Sequence, residues 1–433
     1  MYYIVESKDQ FEKFSKRVGW ENGYVGIIMN EDDKHPIISE LCSLYIKDIN
    51  TDIGIIIPIN HPETLQHDID IELVLNNYNN LFTIDGKLFR YFFPNIKIND
   101  INIINLLKNS EGLKNNINTS SHLFFINKEI EDYNHIIPIS KHFEKQENIY
   151  NNIKKYIDYD IIKTQTYQIY NIKYIDNLFN IEKNGIKIES TLPINKPEKS
   201  TYKNYLFTKY NYSITSRPTT NFNGFSVINL PKDDSRKNII PRNSKLLEID
   251  YDAYHIRIIC DLIGYELKTD NIHNYLSEIY FKSSEISEEQ YLQSKQITFK
   301  QIYGGILDEY KDIEPFRSIN EFTLELWKEF NSNGYISDPI TGLKFSSNLE
   351  NMYPQKLLSY LLQSLETSNN IIIINNLIKF LKNKKTKLIL YSYDAFLFDY
   401  DESEDIIDDL KKIIEKNNFK SKIKIGKNYG ELK

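Results

Sequence analysis

The feature that most constrains this chain is a pair of apolar, strand-like runs that each carry an aspartate. KLLEIDY at 245–251 places Asp250 near its end, and KLILYSYDAFLFDY at 387–400 places Asp394 between two apolar stretches. A carboxylate in such surroundings is costly unless it is paired or binds a metal ion. The pattern predicts one strand that ends at Asp250 and a strand–turn–strand unit that turns at Tyr393–Asp394.

Two aspartates on adjacent strands suit metal-assisted nucleotidyl transfer. Mg²⁺ is commonly held by one or two carboxylates together with substrate phosphates. Two such ions, about 3.5–4 Å apart, can activate an attacking 3′-hydroxyl and stabilise a leaving pyrophosphate. Either aspartate alone is more simply explained as a capping or solvated acid at the end of a strand.

A helix predicted over 288–306 adds a third element. Lys295, Phe299 and Tyr303 fall at i, i+4 and i+8 on one face, and Gly304 follows. A lysine on this face can meet a triphosphate, and the aromatic rings can pack on a base. Taken alone, the same pattern also fits a core stripe whose lysine extends to solvent.

Together these runs resemble the three polymerase motifs of family A, the family of bacterial DNA polymerase I. LLEIDYDAYHIRIICDL is similar to motif A, KQITFKQIYGG to motif B (KxxxFxxxYG), and LILYSYDAFLFD to motif C. Smaller pieces follow in the family's order across 177–433. The matching residues in these pieces are Glu182, Gly185, Arg217, His273 and Gln363.

The resemblance implies a template-directed DNA polymerase that uses two Mg²⁺ ions, primer–template DNA and dNTPs. Asp250 and Asp394 would hold the metal ions, and Lys295 would contact the triphosphate in the catalytic site. The implied nucleotide-binding residues are Tyr303, Phe299, His273, His255 and Tyr251. The implied DNA-binding residues are Arg217, Gln363 and Arg257.

Four departures from the family pattern bear on activity. Tyr291 stands where motif B usually begins with arginine, and His255 replaces the glutamate that screens the ribose 2′-position. Ala395 replaces the glutamate of motif C, and Asp252 replaces a serine and could compensate. His255 keeps open a polymerase of altered specificity, by ribonucleotide incorporation, RNA templating or lesion bypass. The missing arginine, glutamate and thumb keep open a catalytically inactive DNA-binding scaffold.

The resemblance also predicts the domain organisation, a combined α/β and α+β fold. Residues 1–150 are expected to form a DnaQ-like 3′–5′ exonuclease-type α/β domain, and residues 151–433 a right-hand polymerase. Apolar, β-branched runs predict strands at 2–5, 23–29, 40–47 and 53–59, and the segment 190–225, rich in Pro, Ser, Thr and Asn, is predicted to be loop-like. The antiparallel-sheet palm of the polymerase would span about 165–265 and 345–433, and its helical fingers about 266–344. The thumb would be reduced, because only about thirty residues separate Gly185 from Arg217. A weak grip on DNA follows, so a processivity factor or other replisome protein is an expected partner.

The exonuclease-type domain is expected to be degenerate. In the favoured register, the metal-binding positions of the first strand fall on Met29 and Glu31, and the later ones on Phe89 and near Asn102. Without most of its carboxylates the domain should not hold two metal ions. A shifted register that uses Asp32 or Asp33 is the alternative.

Composition limits the remaining possibilities. The net charge of −7 argues mildly against a nucleic-acid partner, although the local charge at a groove decides binding. Neither Cys42 nor Cys260 belongs to a CxxC pair, so the spacing predicts no zinc or redox motif. No run reaches the roughly 18 apolar residues of a membrane helix. A phage or mobile-element enzyme in the bacterial cytoplasm is the expected setting.

Overall fold

The computed structural model describes most of the chain as two units. The described residues are 4–30, 34–62, 64, 69–110, 137–189, 201–221, 225–267, 269, 271–417 and 419–432. The first unit comprises Met1–Tyr210 and Thr220–Asn229, and the second comprises Asn211–Thr219 and Leu230–Lys433.

The first unit is built around a five-stranded mixed sheet of order β3-β2-β1-β4-β5. Its strands are β1 (Asn22–Met29), β2 (Leu41–Asp48), β3 (Ile53–Pro58), β4 (Asn80–Thr83) and β5 (Asn99–Asp100). β2 pairs antiparallel with β1 and β3, and β4 pairs in parallel with β1 and β5. Every residue of β1 is buried, as its unbroken apolar run requires of a strand covered on both faces. The predicted strands at 23–29, 40–47 and 53–59 are confirmed.

A strand was also expected at 2–5, but in its described part the chain makes only one bridge, from Ile4 to Ile56. Helices flank the sheet. They are α1 (Lys8–Ser15), α2 (Ile71–Asn76), α3 (Gly86–Phe92), α4 (Ile101–Asn109), α5 (Ile139–Ile153), α6 (Gln165–Gln168), a π-helix (Ile169–Tyr174) and α7 (Ile175–Asn184).

The segment expected to be loop-like, 190–225, contains short strands where it is described. A three-stranded sheet of order β6-β8-β7 joins β6 (Ile186–Lys187), β7 (Thr201–Tyr202) and β8 (Tyr205–Leu206). A second small sheet pairs β9 (Tyr210–Tyr212) with β10 (Pro218–Thr220). Proline and polar residues kept these strands to two or three residues, too short for a periodic pattern to show.

The second unit is centred on a four-stranded antiparallel sheet of order β14-β15-β11-β16. The strands of this unit are β11 (Lys245–Tyr251), β12 (Tyr335–Ser337), β13 (Lys344–Ser346), β14 (Lys387–Ser392), β15 (Ala395–Tyr400) and β16 (Ser421–Gly426). β12 and β13 form a separate hairpin. The strand at Asp250 and the turn at Tyr393–Asp394 are confirmed.

The helices of the second unit are α8 (Tyr254–Leu262), α9 (Ile272–Phe281), α10 (Glu288–Gly304), α11 (Phe316–Asn333), α12 (Pro354–Leu381) and α13 (Ile407–Ile414). α10 begins with a capping box between Ser287 and Gln290 and ends at the Gly304–Gly305 pair, as the sequence predicts. α12 is the longest, with 28 residues, and much of it is buried. Among the described helices, none combines the length and apolarity needed to cross a membrane.

Candidate active site

The two aspartates singled out by the sequence lie on neighbouring strands. In the register of β11 and β15, Asp250 is opposite Ala395, the residue after Asp394. The Tyr251 amide donates to the Asp394 carbonyl at 3.0 Å, which ties the turn to the end of β11. Tyr393 adopts a positive φ of 59°, so the chain reverses tightly at this point. Strand pairing therefore brings both carboxylates to one end of the sheet.

The negative charges of these two carboxylates repel each other. Burial, and after it the negative charges of Asp250 and Glu366, raise the pKa of Asp394 to about 7. Burial also raises the pKa of Asp250, against the opposing effect of Lys424, whose Nζ lies 3.6 Å from an Asp250 oxygen. The two carboxylates cannot both ionise easily while they face each other. Binding of a divalent cation between them is therefore favourable.

α8 starts immediately after β11 and turns His255 into the site. Ala253 occupies the left-handed region at the N-terminus of the helix, which lets the strand pass directly into α8. The His255 ring is buried and hydrogen-bonded through Nδ1 to the Tyr303 hydroxyl and through Nε2 to Glu366. The histidine thus links α8 to α10 and α12.

Glu366 is the residue that the sequence did not reveal. Its carboxylate is 1% exposed and accepts two bonds from Arg217, at 3.1 and 3.3 Å, in addition to the bond with His255. The Arg217 guanidinium also lies 3.8 Å from the centroid of the Tyr393 ring, beside the Tyr393–Asp394 turn. A buried carboxylate with a bidentate arginine is strongly positioned. The available signal was spacing, since Gln363, Glu366 and Asn370 recur at i, i+3 and i+7 on one face of α12.

The predicted face of α10 is present. The rings of Phe299 and Tyr303 stack with an interplanar angle of 5°, and Phe299 is 51% exposed. Lys295 lies on the same face with its Nζ 4.6 Å from the centroid of the Tyr291 ring. The tyrosine that replaces the family's arginine therefore packs against the lysine expected to contact a triphosphate.

His273 lies next to this face. Its ring packs edge-on against Tyr291, and its Nδ1 is buried without a hydrogen-bond partner among the described residues. Burial and the charge of Lys295 lower the pKa of His273 to about 4, so the imidazole is neutral at physiological pH. A neutral ring with an unsatisfied nitrogen can donate one hydrogen bond to a ligand oxygen.

The remaining predicted residues have structural partners. Tyr251 is buried, donates to the Ile414 carbonyl at 2.6 Å and stacks on Tyr254. Arg257 donates to the Asp252 carbonyl at 2.7 Å. The amide oxygen of Gln363 accepts a bond from Thr215 at 3.0 Å. Arg217 and Gln363 are thus held in place by protein contacts, and their DNA-binding roles stay predictions.

No contact that the structure describes supports the expectation that Asp252 compensates for the missing motif C glutamate. Its carboxylate is paired with Lys422 and lies 3.6 Å from Arg257. These cations neutralise it at the start of α8. Asn370 instead supports the aspartate turn, because it donates to the Tyr393 carbonyl at 2.8 Å and the Tyr391 hydroxyl at 2.9 Å.

In the first unit, the predicted nuclease positions carry no acid where they are described. Met29, Phe89 and Asn102 lie on β1, α3 and α4, while Glu31, Asp32 and Asp33 lie outside the described residues. The carboxylates of Asp85 and Asp100 are nearby in sequence, but they cap α3 and α4. Asp100 also accepts from the Gly86 amide at 2.7 Å.

Comparisons with known proteins support the fold. No protein-family model matches the sequence, and no curated protein sequence matches it. Among solved structures, the chain is similar to the POL domain of Pol1 from M. smegmatis, determined in complex with DNA primer-template and dNTP. The TM-score is 0.71 at 10% sequence identity, and the match covers 99% of each chain. The chain therefore has the mixed α/β, multidomain fold of a DNA polymerase domain.

Proposed function

We propose that this chain is a template-directed DNA polymerase of the family A type. The observation that carries the proposal is the placement of Asp250 and Asp394 at the same end of the β11–β15 pair, within a polymerase-domain fold. The raised pKa of Asp394 supports it, since an acid made unfavourable by its neighbour gains from a bound cation. Aspartate oxygens are the ligand type that Mg²⁺ prefers.

In this proposal Asp250 and Asp394 hold two Mg²⁺ ions. Bound there, the ions would activate the primer 3′-hydroxyl and stabilise the pyrophosphate that leaves. Lys295 offers a cation to the triphosphate, and His273, whose ring packs against Tyr291, lies beside it where the outer phosphates would bind. Phe299 and Tyr303 present stacked rings to the incoming base, and most of the rate enhancement comes from this positioning.

His255 and its partners shape the sugar side of the site. The imidazole is held between Tyr303 and Glu366, so its ring has little freedom to move away from a ribose. Glu366 in turn fixes Arg217 beside the aspartate turn. We infer that this network replaces the single glutamate of the family pattern and disfavours a 2′-hydroxyl by occupying its space.

Primer extension with Mg²⁺ tests the proposal. Asp394→Asn should lower the extension rate about a thousandfold or more, because the metal contribution is worth several kcal/mol. Asp409→Asn, an exposed aspartate on α13, is the matched control and should extend like wild type. Parallel reactions with dNTPs and rNTPs report the sugar preference.

A catalytically inactive DNA-binding scaffold is the second candidate. It is favoured by Tyr291, which removes a cation from the triphosphate site, and by Arg217, whose charge is already paired with Glu366. Measurable DNA binding without extension, with Mg²⁺ or Mn²⁺ and with either nucleotide set, would establish the scaffold. Preferential extension with rNTPs would instead establish a polymerase of altered specificity.

We also propose that the first unit includes a degenerate exonuclease-type domain without proofreading. The absence of acids at Met29, Phe89 and Asn102, and the use of Asp85 and Asp100 as helix caps, support this proposal. A primer with a mismatched 3′ nucleotide should remain intact in Mg²⁺ without dNTPs. Removal of that nucleotide, with dependence on Glu31, would contradict it.

A reduced thumb implies distributive synthesis. Where the chain is described between Gly185 and Arg217, it forms only short strands. The purified protein should therefore add few nucleotides per binding event when released enzyme is trapped, unless a processivity factor is added. Long products under these conditions would show that the grip comes from elsewhere in the chain. A phage or mobile-element role in the bacterial cytoplasm belongs to the same proposal.

A further inference from the structure

A cluster of two histidines and one cysteine lies in the first unit, apart from the residues assigned above. Cys42 is on β2, His61 follows β3, and His142 is in the first turn of α5. One candidate ligand atom from each lies within 4.8 Å of the other two. Their exposures are 0%, 3% and 0%, so the cluster is buried.

Backbone hydrogen bonds hold Cys42 and His61 next to each other. The amides of Ile59 and Asn60 donate to the Cys42 carbonyl at 2.8 and 3.0 Å. This pair of bonds anchors the end of β3 beside the start of β2 and leaves His61 next to the thiol. The two imidazole rings meet edge to face, with centroids 5.2 Å apart.

Both histidines are oriented by hydrogen bonds, and one of these is described for each ring. The Nε2 of His61 lies 2.9 Å from the Ile137 carbonyl, which can only accept, so this nitrogen carries the proton. The Nδ1 of His142 lies 3.1 Å from the Ser43 hydroxyl. A metal-ligating histidine typically uses its second nitrogen in this way, bound to a carbonyl, a carboxylate or water. In a metal site the other ring nitrogens, Nδ1 of His61 and Nε2 of His142, would be the ligand atoms.

We propose that Cys42, His61 and His142 form a zinc site in the first unit. A thiolate and two imidazoles are the ligand types that zinc takes, and a water molecule can complete the tetrahedron. With Zn–S and Zn–N bonds of about 2.3 and 2.0 Å, movements of roughly 1 Å would close the cluster. Binding converts the thiol to a zinc-bound thiolate and releases its proton to solvent. The ion would join β2, β3 and α5.

Packing of three core side chains is the competing explanation. It accounts for burial and for the hydrogen bond at each ring, since buried polar groups are hydrogen-bonded as a rule. It does not require that one atom from each of two imidazoles and a thiol converge within 4.8 Å of one another. The two explanations differ in metal content and in the effect of Ser43. Under simple packing, Ser43 matters only for stability. Under the zinc proposal, Ser43 also sets the metal affinity through His142.

The test uses the full chain without an affinity tag, purified under reducing conditions. Metal content is measured by mass spectrometry, and zinc affinity by competition with a chromophoric chelator. Wild type should retain one zinc per chain, and Cys42→Ser should weaken binding at least 100-fold. Ser43→Ala should weaken it about 10–100-fold. Cys260→Ser, at the other buried cysteine, is the matched control and should retain the ion.

Two further measurements separate the outcomes. Co²⁺ substituted for zinc should give the thiolate charge-transfer band in wild type and not in Cys42→Ser, whose folding is checked by circular dichroism. Zinc retained by an Asp250→Asn/Asp394→Asn variant would place the ion away from the polymerase aspartates. If Cys42→Ser does not fold, the Co²⁺ spectrum of wild type and the zinc affinity of Ser43→Ala test the proposal. Folded wild type without zinc and without a cobalt–thiolate band, or unchanged affinity in Ser43→Ala and Cys42→Ser, would overturn the proposal.

Discussion

Replacing Asp394 with asparagine should stabilise the metal-free protein at alkaline pH while it removes catalysis. The substitution keeps the shape of the side chain and removes the charge that Asp250 and Glu366 disfavour. Residues that bind a ligand commonly lower the stability of the protein when the ligand is absent. The prediction therefore links the function of this carboxylate to a measurable free energy of unfolding.

The pKa of Asp394 gives the magnitude and the sign. Its value in the folded protein is about 7, against an ordinary 3.8. A difference of about three pH units corresponds to about 4 kcal/mol. Because the side chain is half-buried and water screens part of the effect, about 2 kcal/mol is expected. Folding raises this pKa, so the contribution of Asp394 to stability is full below about pH 4 and is lost as the pH rises through 7.

Urea unfolding in EDTA at pH 5 and pH 8 measures the effect. The chain has two tryptophans, and Trp327 lies on α11 of the second unit. In a Trp20→Phe background, fluorescence therefore reports the unit that contains Asp394. Asp394→Asn should unfold at higher urea than its parent at pH 8, and the gain should be smaller at pH 5. Added Mg²⁺ should stabilise the parent and leave Asp394→Asn unchanged.

Asp409→Asn in the same background controls for the loss of one negative charge and should show neither effect. Equal stability of Asp394→Asn and its parent at pH 8, with equal slopes of unfolding, would refute the electrostatic reasoning. A gain of the same size at both pH values would also refute it, because the effect would then not come from ionisation. Mg²⁺ stabilisation that persists in Asp394→Asn would place the cation elsewhere.

Two further predictions concern buried networks in the two units. Lys87→Met should lower the free energy of unfolding of the first unit by about 3–5 kcal/mol in urea titrations, because it leaves Glu182, 1% exposed, without its ion-pair partner. The double variant Lys87→Met/Glu182→Gln should recover most of this loss, and failure to do so would mean that lost packing dominates. His255→Ala should raise the relative kcat/KM for rNTPs over dNTPs about 10–100-fold in single-nucleotide incorporation, since it opens space beside Tyr303. An unchanged ratio would show that another residue excludes the 2′-hydroxyl.

Local patterns predicted the parts of the site that depend on neighbouring residues in sequence. The strand at Asp250, the turn at Asp394 and the face of α10 follow from apolar alternation, an interrupted apolar run and helical spacing. Each of these signals is contained within about fifteen residues. The register of strand pairing then brought the two aspartates together. A hairpin and the strand beside it can pair in only a few registers.

Partners that come from distant parts of the chain could not be predicted in this way. Glu366 is 111 residues from His255 and 149 from Arg217, and no spacing rule connects them. The same holds for Cys42, His61 and His142, which come from a strand, the segment after another strand and a helix. A zinc motif was excluded on spacing because CxxC patterns describe ligands on one turn. Ligands supplied by separate elements leave no such pattern.

The treatment of buried acids in this chain argues for the proposed metal site. Asp399, Glu182 and Glu366 each have a cationic partner, and Asp338 accepts hydrogen bonds from two serines and from backbone amides. In the described part of the chain, no cation lies within ion-pair distance of Asp394, which instead faces the charge of Asp250. Asp100 also faces an acid, Asp85, and burial and that charge raise its pKa to about 7, but Asp100 caps α4. Asp394 caps no described helix, so its position opposite another acid has a reason other than packing. A bound divalent cation supplies that reason, because it converts the repulsion into shared coordination.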